Sequence, residues 1–148
     1  MRILVINGPN LNMLGKRDKE HYGNDSLAAI EQKLAEKGKA LGCELSSFQS
    51  NHEGAIIDFI QAKTKGAEGI LINPGALTHY GYSLHDALID SGLPVVEVHL
   101  SDINAREEWR RVSVISDIVI KQISGLKTKS YLLGLEALAE YIRSQKKK

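Results

Sequence analysis

Apolar and polar positions along the chain follow two rhythms that take turns. Ile3, Leu4, Val5 and Ile6 make an unbroken, mostly β-branched run of the kind that forms a parallel strand buried on both faces. From Ser26 the spacing becomes helical: Leu27, Ile30, Leu34 and Leu41 share a face, Asp25 or Ser26 can cap the start, and Gly42 ends it. Cys43–Gln49 alternates as a second strand and stops at Ser50 and Asn51. A second helix is predicted from Glu53 or Gly54 through Ile56, Ile57, Phe59 and Ile60 to Lys65, halted by Gly66. Gly69–Ile72 predicts strand three, closed by Asn73-Pro74-Gly75, since proline lacks a ladder donor and glycine admits a turn. Ser83–Ser91 predicts a third helix ended by Gly92 and Pro94, and Val95–Leu100 a fourth strand. A short helix is expected over Ala105–Arg111, capped by Asp102 or Asn104, and a fifth strand over Ile118–Ile123. After Gly125 a last helix, Tyr131–Gln145, carries Leu132, Leu135, Leu138 and Ile142 on its inner side.

Strands alternating with helices, without tandem hairpin signals, predict an α/β fold: a five-stranded parallel sheet covered by helices on both faces. The expected architecture is flavodoxin-like, with strand order 2-1-3-4-5. Right-handed crossovers bring all the strands' carboxyl ends to one edge, where open α/β sheets bind ligands. The polar residues expected there are Asn10 and Asn12 after strand one, Asn51 after strand two, Asn73 after strand three, and His99 and Ser101 after strand four. Residues 8–24 break the rhythm. They show little periodicity over a stretch longer than the ~12–15 residues beyond which loops tend to be functional, and Gly15 and Gly23 can serve as hinges. A lid over the site is the expected role.

The 148 residues suit a single domain, and 43% hydrophobic with 25% charged residues is the make-up of a globule with a sizeable core. A net charge of +1 offers no bulk attraction to nucleic acid, and the run Lys146-Lys147-Lys148 reads as a solvated helix end. No apolar run approaches the ~20 residues that cross a bilayer, and Met1–Asn7 is too short for a secretory signal. Cys43 has no partner for an internal disulfide and is expected to act as a small buried hydrophobe in a reducing compartment, the cytoplasm.

The turn after strand one, Gly8-Pro9-Asn10-Leu11-Asn12, matches neither a dinucleotide fingerprint nor a phosphate-binding loop, and no GxSxG nucleophile elbow occurs. Amides stand where a receiver domain needs carboxylates for Mg²⁺. His79, His85, Asp86 and His99 leave a metal hydrolase open as a reading, with solvated or capping roles for them as the plainer one. What remains is an edge of amides, histidines and hydroxyls flanked by Arg17 and Arg110, a set suited to a small polyhydroxylated anion. Tyr22 stands out in its polar loop. Lid packing is its plain role, and acting as a base beside Arg17 the chemical one.

Several strings together resemble one family. They are Asn7-Gly8-Pro9-Asn10-Leu11-Asn12 with Leu14-Gly15, Arg17 followed by Tyr22-Gly23, and Gln49-Ser50-Asn51-His52-Glu53-Gly54. Further along come Ile72-Asn73-Pro74-Gly75-Ala76 with Thr78-His79, Asp86-Ala87-Leu88, and Pro94 through Ser101 followed by Ala105-Arg106-Glu107. Their order and spacing resemble type II 3-dehydroquinate dehydratase over nearly the whole chain.

The resemblance implies a lyase without cofactor or metal that converts 3-dehydroquinate to 3-dehydroshikimate, in the shikimate or quinate pathway, by anti elimination through an enolate. It implies Tyr22 as the phenolate base at C2, Arg17 stabilising its charge, Asn12 holding a water against the enolate oxygen, and His99 protonating the departing C1 hydroxyl. It further implies that Asn73 and the backbone amides of Leu100 and Ser101 grip the substrate carboxylate, and that His79 and Arg110 bind ring hydroxyls. Asp86 would reach a neighbouring subunit's site in a homododecamer, a tetramer of trimers. The chain departs from the family pattern at His85, where Arg is frequent, and at Asp102 and Asn104 in the string after His99. Arg111 reads as a surface residue beside Arg110, and His52 and Glu53 as residues that cap the second helix and brace the fold. Two other classes predict different behaviour: a binding module would tolerate loss of the Tyr22 hydroxyl, and a metal hydrolase would be silenced by a chelator.

Overall fold

The computed structural model describes residues 1–148. Strands β1 (Arg2–Asn7), β2 (Glu44–Gln49), β3 (Gly69–Asn73), β4 (Val95–Val98) and β5 (Lys121–Ile123) form one parallel sheet in the order β2-β1-β3-β4-β5. The flavodoxin-like expectation holds in strand order and direction. Helices α1 (Lys19–Tyr22), α2 (Leu27–Leu41), α3 (Glu53–Lys63), α4 (Tyr82–Ser91) and α5 (Thr128–Lys146) complete the chain with short 3-10 turns.

Side chains alternate across each strand, so the central strands feed two cores. Ile3, Val5, Leu71, Val96 and Val98 pack with Ile30 and Leu34 of α2 and with Tyr131, Leu135 and Leu138 of α5. Leu4, Ile6, Ile70, Ile72 and Val95 pack on the other face with Ile56 and Ile60 of α3 and Leu84 and Leu88 of α4. Two glycine positions permit close approach. A Cβ on Gly134 of α5 would sit 2.5 Å from Val98 Cγ1, so this helix lies on the sheet only without a side chain there. A Cβ on Gly8 would sit 2.2 Å from the Pro74 carbonyl oxygen, because the turns leaving β1 and β3 cross in contact.

Local signals explain most boundaries. Ser26 Oγ accepts the Ala29 N–H at 3.1 Å, and Gly42 closes α2 at φ 72°. The later elements differ from expectation. β4 ends at Val98 rather than Leu100, and the short helix expected over Ala105–Arg111 is instead two 3-10 turns, Ile103–Ala105 and Glu108–Arg111. β5 covers only Lys121–Ile123, because the preceding segment crosses the sheet end: Val114 N–H bonds the Thr78 carbonyl and Ile115 is fully buried in the α3/α4 core. Cys43 is half-buried rather than buried. Glu53 braces α4 instead of capping its own helix, its Oε2 accepting the Leu84 N–H at 3.0 Å, and His52 makes no side-chain cap. Residues 8–24 contain a 3-10 turn (Leu11–Met13) and α1, anchored by buried Leu11 and Leu14. No helix is long and apolar enough to cross a membrane.

Candidate active site

A cavity of about 130 Å³ opens at the carboxyl ends of β1, β3 and β4. That is close to the ~150 Å³ of an engineered cavity that accepts a benzene ring. Its floor comes from the crossed turns after β1 and β3. Asn10 adopts a left-handed conformation, φ 70°, its N–H donates to Asn51 Oδ1 at 2.9 Å, and its side-chain amide has no protein partner. Asn73 is held on both ends of its amide: Oδ1 accepts the Gly75 N–H at 3.1 Å, and Nδ2 donates to Tyr131 Oη at 2.9 Å. Tyr131 Oη in turn donates to Asn7 Oδ1 at 2.6 Å. Burial pushes the Tyr131 phenol well above the usual tyrosine range, so it stays a neutral donor. Beyond β4, Leu100 and Ser101 line the cavity with backbone N–H groups that have no protein partner, a ready cradle for carboxylate oxygens.

The opposite wall is cationic. Tyr22, the last residue of α1, lies beneath the Arg17 guanidinium, which stacks 3.7 Å from the ring centroid. The phenol oxygen has a different partner. Arg106 Nη1 donates to Tyr22 Oη at 2.7 Å and to Ser101 Oγ at 3.2 Å, and Arg106 Nε is buried with no partner. Arg110 stacks on Trp109 at 4.1 Å and pairs with Glu107. Burial holds the Arg17 guanidinium below the usual arginine range, with Arg106 and Arg110 adding repulsion that Tyr22 partly offsets. Arginine remains charged even so. Three guanidiniums thus share one small cavity, an arrangement that an anionic ligand relieves.

The imidazoles stand on the β4 side. His99 Nε2 lies 2.6 Å from Glu97 Oε2, which leaves Nδ1 as the ring nitrogen without a protein partner. Glu97 is fully buried. Burial works to raise its carboxyl pKa, but hydrogen bonds from His99, Thr78 and Gln122 outweigh that and hold it below the usual carboxylate range. His79 Nδ1 sits 2.6 Å from the Val112 carbonyl, so this nitrogen carries the proton and Nε2 is left bare. Burial, with repulsion from His99 and Arg110, keeps His79 below the usual histidine range and hence neutral at pH 7.

Of the residues singled out from the sequence, the cavity brings together Arg17, Tyr22, Asn73, His79, His99, Leu100, Ser101 and Arg110. Asn12 is not among its lining residues; the neighbouring amide that lines the cavity is Asn10, and both are exposed. Asp86 lies on α4, its side chain 80% exposed and 3.4 Å from His85 Nδ1, away from this chain's own cavity. Arg106 and Trp109 also line the cavity and Glu97 stands behind His99, and none of the three has a role assigned by the sequence motifs. An acid in the apolar run Val95-Val96-Glu97-Val98, two residues from His99 and so on the same strand face, is the signal that was available for Glu97. No group of three or more His, Cys, Asp or Glu side chains converges as a metal-ligand set.

Comparison with known proteins follows the same line. The family model described as Dehydroquinase class II matches residues 1–139. The chain is 54% identical over 138 residues to 3-dehydroquinate dehydratase of Roseiflexus castenholzii, covering 93% of this chain and 88% of that one. It is 51% identical over 142 residues to the enzyme of the same name from Halothermothrix orenii, covering 96% of each. Among solved structures, the type II dehydroquinase of Butyrivibrio crossotus superposes with a TM-score of 0.90 at 46% identity, covering 93% of this chain and 97% of that one. A receiver domain from Methanospirillum hungatei, 12% identical with a TM-score of 0.53 over 99% of this chain and 98% of that one, shares the fold alone.

Proposed function

The chain belongs to the class II dehydroquinase family, and from that premise we propose that it removes water from 3-dehydroquinate to give 3-dehydroshikimate, with Tyr22 as base and His99 as acid. The observation that carries this reading is that a tyrosine held by two guanidiniums and a histidine held by a buried carboxylate line one ring-sized cavity.

The chemistry asks for a base at a carbon beside a ketone and an acid at a hydroxyl that leaves slowly unless protonated. Tyr22 Oη takes the C2 proton, and the electron pair moves into the ketone to form an enolate. Arg106 at the phenol oxygen and Arg17 over the ring stabilise the negative charge on the base. Asn10, rather than Asn12, holds a water against the enolate oxygen with its unpaired amide. The enolate collapses as the C1–O bond breaks, and His99 Nδ1 delivers the proton that makes the leaving hydroxyl a water. One proton is gained at Tyr22 and one lost at His99, so solvent exchange resets the site. The free N–H groups of Leu100 and Ser101, with Asn73, hold the carboxylate, and His79 and Arg110 contact ring hydroxyls.

Residues 8–24 act as the lid, bringing Arg17 and Tyr22 over the bound ring. Asp86 serves a neighbouring subunit's site in a dodecamer built as a tetramer of trimers, a role that its exposed position on α4 supports. A cytoplasmic location agrees with the lone free cysteine.

The test is the rise of conjugated-enone absorbance when purified protein meets 3-dehydroquinate, with and without chelator. Turnover unaffected by chelator and lost in Tyr22→Phe and His99→Ala, each with wild-type circular dichroism, is expected. Turnover surviving Tyr22→Phe would remove the base, and inactivation by borohydride with substrate would replace the enolate with a lysine Schiff base.

A further inference from the structure

Glu97 accepts hydrogen bonds on both oxygens. Oε2 lies 2.6 Å from His99 Nε2 and 2.5 Å from Thr78 Oγ1; Oε1 accepts from Ser113 Oγ and Gln122 Nε2, each at 2.9 Å. A carboxylate offers roughly four lone-pair sites, and these four donors fill them. Gln122 differs from the rest. It belongs to β5, stands in register with Glu97 across the β4–β5 ladder, is exposed at the sheet edge, and lines no part of the cavity.

We propose that Gln122 is a positioning residue for the dehydration, which through Glu97 sets how firmly His99 holds the proton it must give up. The inference rests on the reading of His99 as the acid. Thr78 and Ser113 already fix the carboxylate in place, so the fourth donor chiefly takes a share of its charge. A carboxylate stripped of a donor pulls harder on the imidazolium that faces it, because the state left after proton release has lost support. His99 then becomes a weaker acid. Among the groups bonded to Glu97, His99 is the only imidazole; the others are two hydroxyls and an amide. His79 faces the dyad, Arg17, Tyr22, Arg106 and Arg110 line the same cavity as His99, and Lys121 projects to the opposite face of β5; none of them changes when Gln122 is replaced.

The experiment is a kcat–pH series on the full-length protein with Gln122→Met, Gln122→Glu and Gln122→Lys, alongside His99→Ala. Methionine keeps the length and removes the donor; glutamate adds a like charge; lysine returns a donor with positive charge. Gln122→Met is expected to lower kcat about tenfold, the loss associated with one hydrogen bond to a charged group, with KM within about twofold. The basic limb of the profile moves up by about half a unit or more in Gln122→Met, further in Gln122→Glu, and down in Gln122→Lys. A structural role alone would change stability without this order. Three folded variants with an unmoved or unordered basic limb, while His99→Ala abolishes turnover, would overturn the role of Gln122 and leave the acid standing. Turnover persisting in His99→Ala would overturn both.

Discussion

Replacing Arg106 by methionine tests the wall that faces Tyr22. The substitution keeps much of the apolar stem and removes the group that lies 2.7 Å from the phenol oxygen. Two unit charges about 4 Å apart attract by ~4 kcal/mol at the effective dielectric typical near a protein surface. Not all of that is lost in the variant. Arg17 remains stacked on the ring 3.7 Å from its centroid, and water enters where the guanidinium stood. The net worth of a hydrogen bond to a charged group, about 1.5–3 kcal/mol, is the fitting scale, and it corresponds to a fall in kcat of roughly 10- to 150-fold. Arg106→Lys is expected to fall between the wild type and Arg106→Met, because a single ammonium cannot serve Tyr22 Oη and Ser101 Oγ with the fixed fork of a guanidinium. Initial rates of enone formation from 3-dehydroquinate measure the effect, with circular dichroism as the control for folding. A folded Arg106→Met variant whose kcat stays within about twofold of wild type would refute the claim that this contact stabilises charge on the base.

Three further outcomes are expected. Asn10→Ala loses most of the turnover and Asn12→Ala keeps it, because only Asn10 lines the cavity; rates in both variants decide, and the opposite ranking would return the water-holding role to Asn12. Gly134→Ala destabilises the fold by about 1–3 kcal/mol, since its Cβ would meet Val98 at 2.5 Å; chemical denaturation reads this, and an unchanged midpoint would show that α5 shifts at no cost. His85 is raised above the usual histidine range by its hydrogen bond to Asp117, at 3.1 Å, with Asp86 adding to it. The stabilisation from that pair is therefore complete below the unfolded value near 6.5 and is lost as pH rises through the raised folded value. Asp117 is 67% exposed, so the effect is under about 1 kcal/mol. Thermal unfolding of wild type and His85→Asn should differ at pH 6 and converge in alkaline buffer; a gap that widens with pH would contradict the pairing.

The sheet was legible because its central strands are runs such as Ile3–Ile6 and Gly69–Ile72, where composition and burial coincide. The strand expected over Ile118–Ile123 starts late for a tertiary reason. Just before it, Ile115 is drawn into the core and Ser113 to Glu97, which delays pairing with β4 until Lys121. In the site, residues at strand ends such as Asn73 and His99 could be placed from topology alone. The choice between Asn10 and Asn12 could not, since it depends on the path of the turn, in which Asn10 takes a left-handed φ of 70° and lines the cavity while Asn12 lies in the 3-10 turn that follows. Arg106 was equally hidden: 84 positions separate it from Tyr22, and a 3-10 turn rather than the expected helix determines where its guanidinium lands.

The tie from Tyr131 to Asn7 spans 124 positions and also secures Asn73. Asn7 and Asn73 close two neighbouring strands at the centre of the sheet, and both depend on a single buried phenol carried by α5. Any opening of α5 from the sheet therefore releases both amides at once. The seating of that helix and the order of the cavity floor are thus one and the same event.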